Sequence, residues 1–226
     1  MIQWHTNHFW YHSDECRKLG VDIGQRMSVI RLQDDTLLVH NPGQLTDDVK
    51  SYLAELGDVS CVTTVNKHLH DDLSDWWLAY PEAYFYSAPG LASKRTDIGF
   101  DGILNSATSP QWKGQLYQTI IRGNADCEEV VFCDPVSRTL VIGESVIAIN
   151  EGSFARRLAG KLAGCDGNVM VPISQRLKVT DKSLLRQSLQ EILTWPFEHI
   201  MPIHGDPILF DGKRKLAEAY AWALRG

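Results

Sequence analysis

The chain has 226 residues, of which 44% are hydrophobic and 22% charged, a composition typical of a soluble globular protein. Its formal net charge of −6 argues against a nucleic-acid partner and against an anionic membrane, because both bind basic surfaces. No apolar run reaches the length of a membrane span, and the first residues lack the apolar core of a signal peptide, so we expect a cytoplasmic protein. The 5 cysteines are scattered without a C-x-x-C pair, which predicts neither a disulfide framework nor a cysteine zinc site.

The first half of the chain predicts mainly strands. Residues 1–12 are rich in aromatics and histidines, which favours an edge strand or an interaction surface and leaves a homodimer open. Apolar runs at 27–32 and 36–40 flank three polar residues and predict a hairpin. Residues 46–57 begin with Thr, continue with two acids and end with Gly, which indicates a helix. Further elements are a strand over 59–65, a short helix over 72–80 capped by Asp72 or Ser74, and a strand over 83–87.

The second half alternates between strands and helices. Residues 96–114 are rich in Gly, Asp, Ser and Pro and predict a loop. Strands are predicted over 116–121, 129–133, 139–142 and 199–204, and helices over 151–164, 181–194 and 213–224, with Thr180 as the cap of the second helix. This order predicts one α/β domain over residues 1–226, with helices covering the sheets.

The stretch TTVNKHLHDDLSDWW, residues 63–77, contains the first candidate metal ligands. His68 and His70 lie two apart beyond a predicted buried strand, so both imidazoles can project the same way and reach one cation. Asp72 then offers an oxygen ligand from the first turn of the next helix. Zinc and iron accept such mixed sets, and an open position holding water makes a site hydrolytic. Glu144 and His204 stand at the ends of two later strands, where ligands of α/β sheets usually bind.

Each of these residues also has a plainer interpretation. His68 and His70 could be solvated turn residues, and Asp72 could be a helix N-cap. Glu144 could be a surface acid at a strand end, and His204 could be a turn residue. Single positions therefore leave the function open, and their order along the chain carries the argument.

The ordered set of motifs resembles the metallo-β-lactamase superfamily. The motifs are H-x-H-x-D after a buried strand, the strand ending Leu140-Val-Ile-Gly-Glu144, and Ile203-His204-Gly205 before the last helix. The resemblance covers essentially the whole chain and implies an αββα sandwich. It implies that His68 and His70 belong to a first metal site and that Asp72 and His204 belong to a second. It also places Glu144 where the family has a bridging aspartate.

Two positions depart from the family pattern. Leu73 stands where the family has a histidine directly after the aspartate. The turn at 123–126 contains Ala125 and no histidine, where the family has a Gly-His-Thr turn. Each metal position has therefore lost one nitrogen ligand, and we do not expect a full dinuclear centre. The pattern also resembles a bacterial, largely uncharacterised branch of the superfamily with eroded metal motifs.

The candidate ligands that remain could bind one divalent metal, and zinc is favoured over iron or manganese. Its ligands would be His68, His70 and Glu144, joined by Asp72 or His204. Asp126 and His40 are candidate substitute ligands.

The resemblance implies a metal-dependent hydrolase of a small ester, lactone, thioester or phosphoester. Asp72 would orient or deprotonate the attacking water, and His204 would act as a second ligand or as an acid. The alternative is a non-catalytic descendant whose pocket binds a small molecule or a protein partner, as the losses at Leu73 and Ala125 indicate. Both hypotheses require residues 68, 144 and 204 to share one cavity.

Overall fold

Two β-sheets form the centre of the fold in the computed structural model, which describes residues 1–18, 21–124, 126–149, 158 and 169–225. The larger sheet contains, in chain order, β1 (Ile2–His5), β2 (Phe9–Asp14), β5 (Gln25–Arg31), β6 (Leu37–His40), β7 (Val59–Thr63), β8 (Tyr84–Ser87) and β9 (Gly102–Ile103), while β3 (Arg17–Lys18) and β4 (Val21–Asp22) form a separate hairpin. The smaller sheet contains β10 (Tyr117–Ile121), β11 (Glu129–Asp134), β12 (Thr139–Ile142) and β13 (His199–Pro202). The predicted strands over 27–40, 59–65, 83–87, 116–142 and 199–204 are thus confirmed, with small changes at their ends.

The helices are α1 (Asp47–Leu56), α2 (Leu73–Ala79), α3 (Ile173–Leu177), α4 (Lys182–Thr194), α5 (Gly212–Ala219) and α6 (Ala221–Leu224), and a 3₁₀ turn spans Pro110–Trp112. The hydroxyl of Thr46 accepts from the backbone N–H of Val49, which confirms the predicted cap of α1. The predicted cap of α4 is wrong, because Asp181 accepts the first N–H groups while the hydroxyl of Thr180 donates to the carbonyl of Gly123. The predicted last helix is divided at Tyr220.

Two predictions from the irregular parts of the chain have different outcomes. Residues 96–114 are not simply a loop, since they contain β9 and the 3₁₀ turn, whose Trp112 is completely buried. The composition did not indicate these elements, because Gly, Ser and Pro surround Trp112, the large buried residue of this segment. The predicted helix over 151–164 lies outside the described residues, apart from residue 158.

The core is divided into layers by the two sheets. One cluster lies between them and contains Ile30, Leu38, Trp112, Phe132 and Met201. A second cluster joins the larger sheet to α1 and α2, and a third joins the smaller sheet to α4, α5 and α6. This is the αββα sandwich predicted for the chain.

The first hairpin connects the two sheets. The indole Nε1 of Trp4 donates to the hydroxyl of Thr139 at 2.8 Å, and Nε2 of His8 lies 3.0 Å from Oδ2 of Asp134. β1 lies at the edge of the larger sheet, as the aromatic composition predicted. In the part of the chain that the structure describes, no helix is long and apolar enough to cross a bilayer.

The strand directions bring three segments to one end of the sandwich. β6, β7 and β8 run parallel to one another, and β12 runs parallel to β13. The segments that follow β7, β12 and β13 begin the regions around Asn66, Glu144 and His204. We call this end of the molecule, defined by those three residues, the rim.

Candidate functional site

Asn66 organises the loop that follows β7. Its Oδ1 accepts from the backbone N–H groups of His68 at 2.8 Å and Leu69 at 3.0 Å, which fixes a tight turn. Its Nδ2 donates to Oε2 of Glu144 at 3.0 Å. Because Asn66 is completely buried, these bonds are shielded from water. The loop carrying the two predicted histidines is therefore tied to the end of β12.

Glu144 and His204 face each other at the rim. Nδ1 of His204 lies 2.6 Å from the carbonyl oxygen of Gly24, which can only accept, so Nδ1 carries a proton. Its Nε2 lies 3.4 Å from Oε1 of Glu144. His204 is 3% exposed, and its Nε2 makes no hydrogen bond within the described residues. The second ring nitrogen of His204 therefore points at the carboxylate of Glu144.

Glu129 supports the turn at 143–145 from below. Its carboxylate accepts from the N–H of Gly143 at 2.8 Å, the N–H of Ser145 at 3.0 Å and the hydroxyl of Ser145 at 2.7 Å. Burial raises the pKa of Glu129 to about 7, although the three bonds act in the opposite direction. A Cβ at position 143 would lie 2.6 Å from Cδ of Glu129, so the turn needs glycine there. Both neighbours of Glu144 are thereby fixed.

The two predicted ligands His68 and His70 contact two different charged side chains, Asp126 and Arg95. His68 is about two-fifths exposed, and its Nε2 lies 3.8 Å from Oδ2 of Asp126. Lys178 binds the same carboxylate oxygen at 2.8 Å and lowers the pKa of Asp126. Nη1 of Arg95 donates to the carbonyl of His70 at 2.8 Å and lies 3.4 Å from its Nδ1. A guanidinium cation therefore lies beside one of the two ring nitrogens of His70, Nδ1.

Asp72 lies directly before α2, near the carboxylates of Asp14, Asp71 and Asp75. It precedes α2, but its side chain makes no capping hydrogen bond, so the alternative of an N-cap role is wrong. Burial raises the pKa of Asp72, and the nearby carboxylates of Asp14, Asp71 and Asp75 raise it further.

Leu73 is part of the core. It is 1% exposed and packs in the cluster that contains Trp76. The indole of Trp76 donates to the carbonyl of Gly43 at 2.8 Å, which fixes α2 against the loop after β6.

His40 is enclosed between the sheets and supplies no ligand at the rim. Its Nδ1 lies 2.9 Å from the hydroxyl of Thr63, and that hydroxyl donates to the carbonyl of Val39. Nδ1 therefore carries the proton, and the buried Nε2 is a bare acceptor. Burial lowers the pKa of His40 to about 3, and the ring packs edge-on against Phe132.

The predicted metal set does not fit an ion in this arrangement. Among the described residues, no three His, Cys, Asp or Glu side chains lie close enough together to hold one metal. Glu144 and His204 offer two donor atoms, whereas His70 lies against Arg95 and Leu73 is dry. Residues 68 and 204 nevertheless lie at the same rim, because Asn66 connects the loop of the first to the carboxylate that faces the second.

Three contributors to this site escaped the sequence analysis. Asn66 and Arg95 lie outside the motifs that carry the resemblance, and their partners Glu144 and His70 are distant in the sequence. Glu129 offered one weak signal, an acid at the start of an otherwise apolar strand, and such an acid must find partners when it is buried.

Comparisons with known proteins agree with the architecture. No model of a protein family matches the chain, and no curated protein matches it. Among solved structures, a metallo-beta-lactamase from Pontibacter korlensis is 14% identical with a TM-score of 0.65, covering 100% of this chain and 99% of its own. The metallo-beta-lactamase FIM-1 from Pseudomonas aeruginosa, in its mono-zinc form, is 11% identical with a TM-score of 0.64, covering 98% and 95%.

A solved structure of a differently described protein is also similar to this chain. The metal-soaked Flv1 flavodiiron core from Synechocystis is 15% identical with a TM-score of 0.63, covering 96% of this chain and 58% of that one. Similarity at this level of identity shows the fold and leaves the chemistry to the site. The chain has the metallo-β-lactamase fold.

Proposed function

We propose that the protein is a hydrolase of small carboxylic esters, lactones or thioesters in which His204 deprotonates the attacking water. The observation that carries the proposal is the buried Nε2 of His204, which makes no hydrogen bond within the described residues and lies 3.4 Å from Oε1 of Glu144. A general base needs a lone pair within reach of water and a fixed partner on its other nitrogen. His204 has that partner in the carbonyl of Gly24.

The proton movements follow from these contacts. A small shift of Glu144, whose side chain is 16% exposed, admits a water to Nε2. His204 takes a proton from this water as the water attacks the carbonyl carbon, and the carboxylate of Glu144 stabilises the imidazolium. The imidazolium then returns the proton to the leaving alcohol or thiol. Asn66 and the turn held by Glu129 limit the movement of Glu144 to such a small shift.

The proposal favours carbonyl substrates over phosphoesters. A phosphoester brings its own negative charge beside Glu144, and phosphoryl transfer depends on cations that neutralise the equatorial oxygens. Two of the cations near the rim are already engaged, since Lys178 binds Asp126 and Arg95 binds Asp97.

A panel of 4-nitrophenyl esters, aliphatic lactones and aryl thioesters tests the proposal. We expect hydrolysis that survives treatment with a chelator and falls about 100-fold or more in His204→Ala, the size of a typical general-base contribution. His5→Ala, which removes an exposed histidine, serves as the matched control and keeps its rate. Activity that a chelator abolishes and zinc restores would overturn the mechanism in favour of a metal-dependent hydrolase.

A second candidate is a non-catalytic protein that binds a small molecule at the rim. The contact between Arg95 and His70 favours it, because a former ligand position has gained a structural partner. This candidate predicts no turnover of any compound in the panel, together with a rise in melting temperature in the presence of at least one of them.

A further inference from the structure

A second cavity lies at the end of the sandwich away from the rim. Gly24, which binds His204, precedes β5, whereas Arg31, which lines this cavity, ends the same strand. The cavity has a volume of about 230 Å³. It is lined by the turn after β5, the segment before β10 and the turn after β11, together with His8 from the first hairpin.

A buried carboxylate fixes the chemical state of the cavity wall. Asp134 is completely buried and accepts from the N–H groups of Val136 at 3.2 Å and Ser137 at 3.0 Å, and from the hydroxyl of Ser137. Burial by itself would raise the pKa of Asp134, but bonds from His8 and Ser137 outweigh it and hold that pKa below its ordinary value. The carboxylate is therefore ionised and can only accept.

The other ring nitrogen of His8 has no protein partner. Nε2 lies 3.0 Å from Oδ2 of Asp134 and must carry the proton, which leaves Nδ1 as the ring nitrogen that can bond to a ligand. No described residue forms a hydrogen bond with that Nδ1.

Gln115 is a second polar residue in the lining of the cavity. Its Oε1 accepts from the N–H of Gln33 at 2.8 Å, which leaves its amide NH₂ to donate elsewhere. The two charged lining residues already have partners, because the guanidinium of Arg31 donates to backbone carbonyls and the carboxylate of Asp134 accepts from His8 and the turn at 136–137, so the cavity favours neither an anion nor a cation. The remaining lining is mostly apolar, formed by Leu32, Leu116, Pro135 and Val136.

We propose that this cavity binds a neutral, single-ring molecule that bears a hydroxyl group, of which phenol is the simplest example. The hydroxyl donates to Nδ1 of His8 and accepts from the amide of Gln115, while the ring packs on Leu32 and its apolar neighbours. The volume suits one ring, since pockets for larger ligands usually measure about 300–1,000 Å³. The proposal is independent of the hydrolase assigned to the rim.

Phenol binding, followed by NMR on isotope-labelled protein, tests this inference. We expect saturable binding with a Kd of about 1 mM, as small fragments show, with shifts at His8 and Gln115. Toluene has nearly the same shape without the hydroxyl, and we expect it to bind at least about tenfold more weakly.

Two variants separate binding from folding. Val136→Trp fills the mouth at a residue that is 57% exposed and keeps the contact between His8 and Asp134, so phenol affinity should fall at least about tenfold while the fold is retained. His8→Phe keeps a ring but removes both Nδ1 and the bond from Nε2 to Asp134, so it should weaken phenol binding to the same extent and also lower stability, which Val136→Trp should not. Ile103→Trp, at a similarly exposed site on β9, is the matched control and should bind phenol normally. Absence of saturable binding to the wild-type protein, equal binding of toluene, or unchanged binding by Val136→Trp would each overturn the proposal.

Discussion

Asn66 and Glu144 are joined by a 3.0 Å hydrogen bond that connects the loop after β7 to the end of β12. The same amide holds the turn at His68 and Leu69 with its oxygen. One buried side chain therefore uses its donor for one sheet and its acceptor for the other. Loss of either function should have a different consequence.

Asn66→Asp separates these two functions. The variant keeps the acceptor for the turn but places a second carboxylate beside Glu144, so Glu144 should move away from His204. We expect the fold to be retained and hydrolysis to fall at least about tenfold, since a misplaced charge no longer stabilises the imidazolium. Asn66→Ala loses all three bonds and should also lower the free energy of unfolding by about 1–3 kcal/mol. Urea unfolding and initial rates measure the two effects, and an Asn66→Asp enzyme as fast as wild type would contradict the role given to Glu144.

Glu129→Gln should destabilise the turn at 143–145. The amide NH₂ of the new side chain would face one of the backbone donors that the carboxylate now accepts, leaving a buried donor unpaired at a cost of about 1–3 kcal/mol. Ser145→Ala removes one hydroxyl bond and serves as the milder comparison, with an expected loss of about 0.5–1.5 kcal/mol. Chemical unfolding of both variants provides the measurement. Equal losses would show that the carboxylate does not organise the turn.

His40 should make stability fall in acid. Burial lowers the pKa of His40 from 6.5 to about 3, so between these two pH values His40 is protonated in the unfolded chain and neutral in the folded protein. Its contribution is fully present above pH 6.5 and is lost as the pH falls towards 3. Between about pH 7 and about pH 5 the loss should be about 2 kcal/mol, and His40→Gln should abolish it.

The comparison of wild type with His40→Gln isolates this effect. Glu129, with its pKa raised to about 7, acts in the opposite sense, because its contribution is present below pH 4.5 and is lost as the pH rises through about 7. That contribution is common to both proteins and cancels in their difference. A difference that does not change with pH would mean that His40 becomes protonated in the folded protein.

Leu73→His should fail to restore a metal site. Position 73 is 1% exposed and packs in the core with Trp76, so a histidine there would bury a polar ring and lose apolar contacts, costing about 2–5 kcal/mol. Leu73→Met, of similar volume, should cost less than about 1.5 kcal/mol. Metal analysis of the purified variants should give less than about a tenth of an equivalent of zinc. Near-stoichiometric zinc in Leu73→His, with unchanged stability, is the result that would contradict this assignment.

The architecture was predictable because local signals agreed with it. The runs around 27–32 and 36–40 are apolar because β5 and β6 are covered on both faces. Thr46 marks the start of α1 because its hydroxyl accepts from the backbone N–H of Val49, only three residues further along the chain. The cap of α4 was missed because Thr180 and Asp181 are both good caps. Only the distant carbonyl of Gly123 decides between them by engaging the hydroxyl of Thr180.

The site was predictable only in part, for the same reason. Glu144 and His204 follow strands, and strand order alone brings such residues to one end of a sheet. The partner of His70 lies 25 residues further along the chain, and the partner of Asn66 lies 78 residues away. Contacts between side chains so far apart along the chain produce no periodic pattern in the sequence from which they could be predicted. The local pattern therefore indicated ligands, whereas the contacts of the folded chain gave His70 a cation instead.

The bonds of the first hairpin to the smaller sheet also bear on how the chain reaches its native state. Trp4 and Thr139 are 135 residues apart, His8 and Asp134 are 126 apart, and His204 and Gly24 are 180 apart. Contacts of such high sequence separation form slowly, because the entropy of closing a long loop is lost before the contact contributes favourable free energy. Until residues 134–139 have folded, the hairpin at residues 1–14 lacks these partners, and the open edge of β1 is exposed to other chains. We expect slow refolding and aggregation at high concentration, both relieved once residues 134–139 have docked.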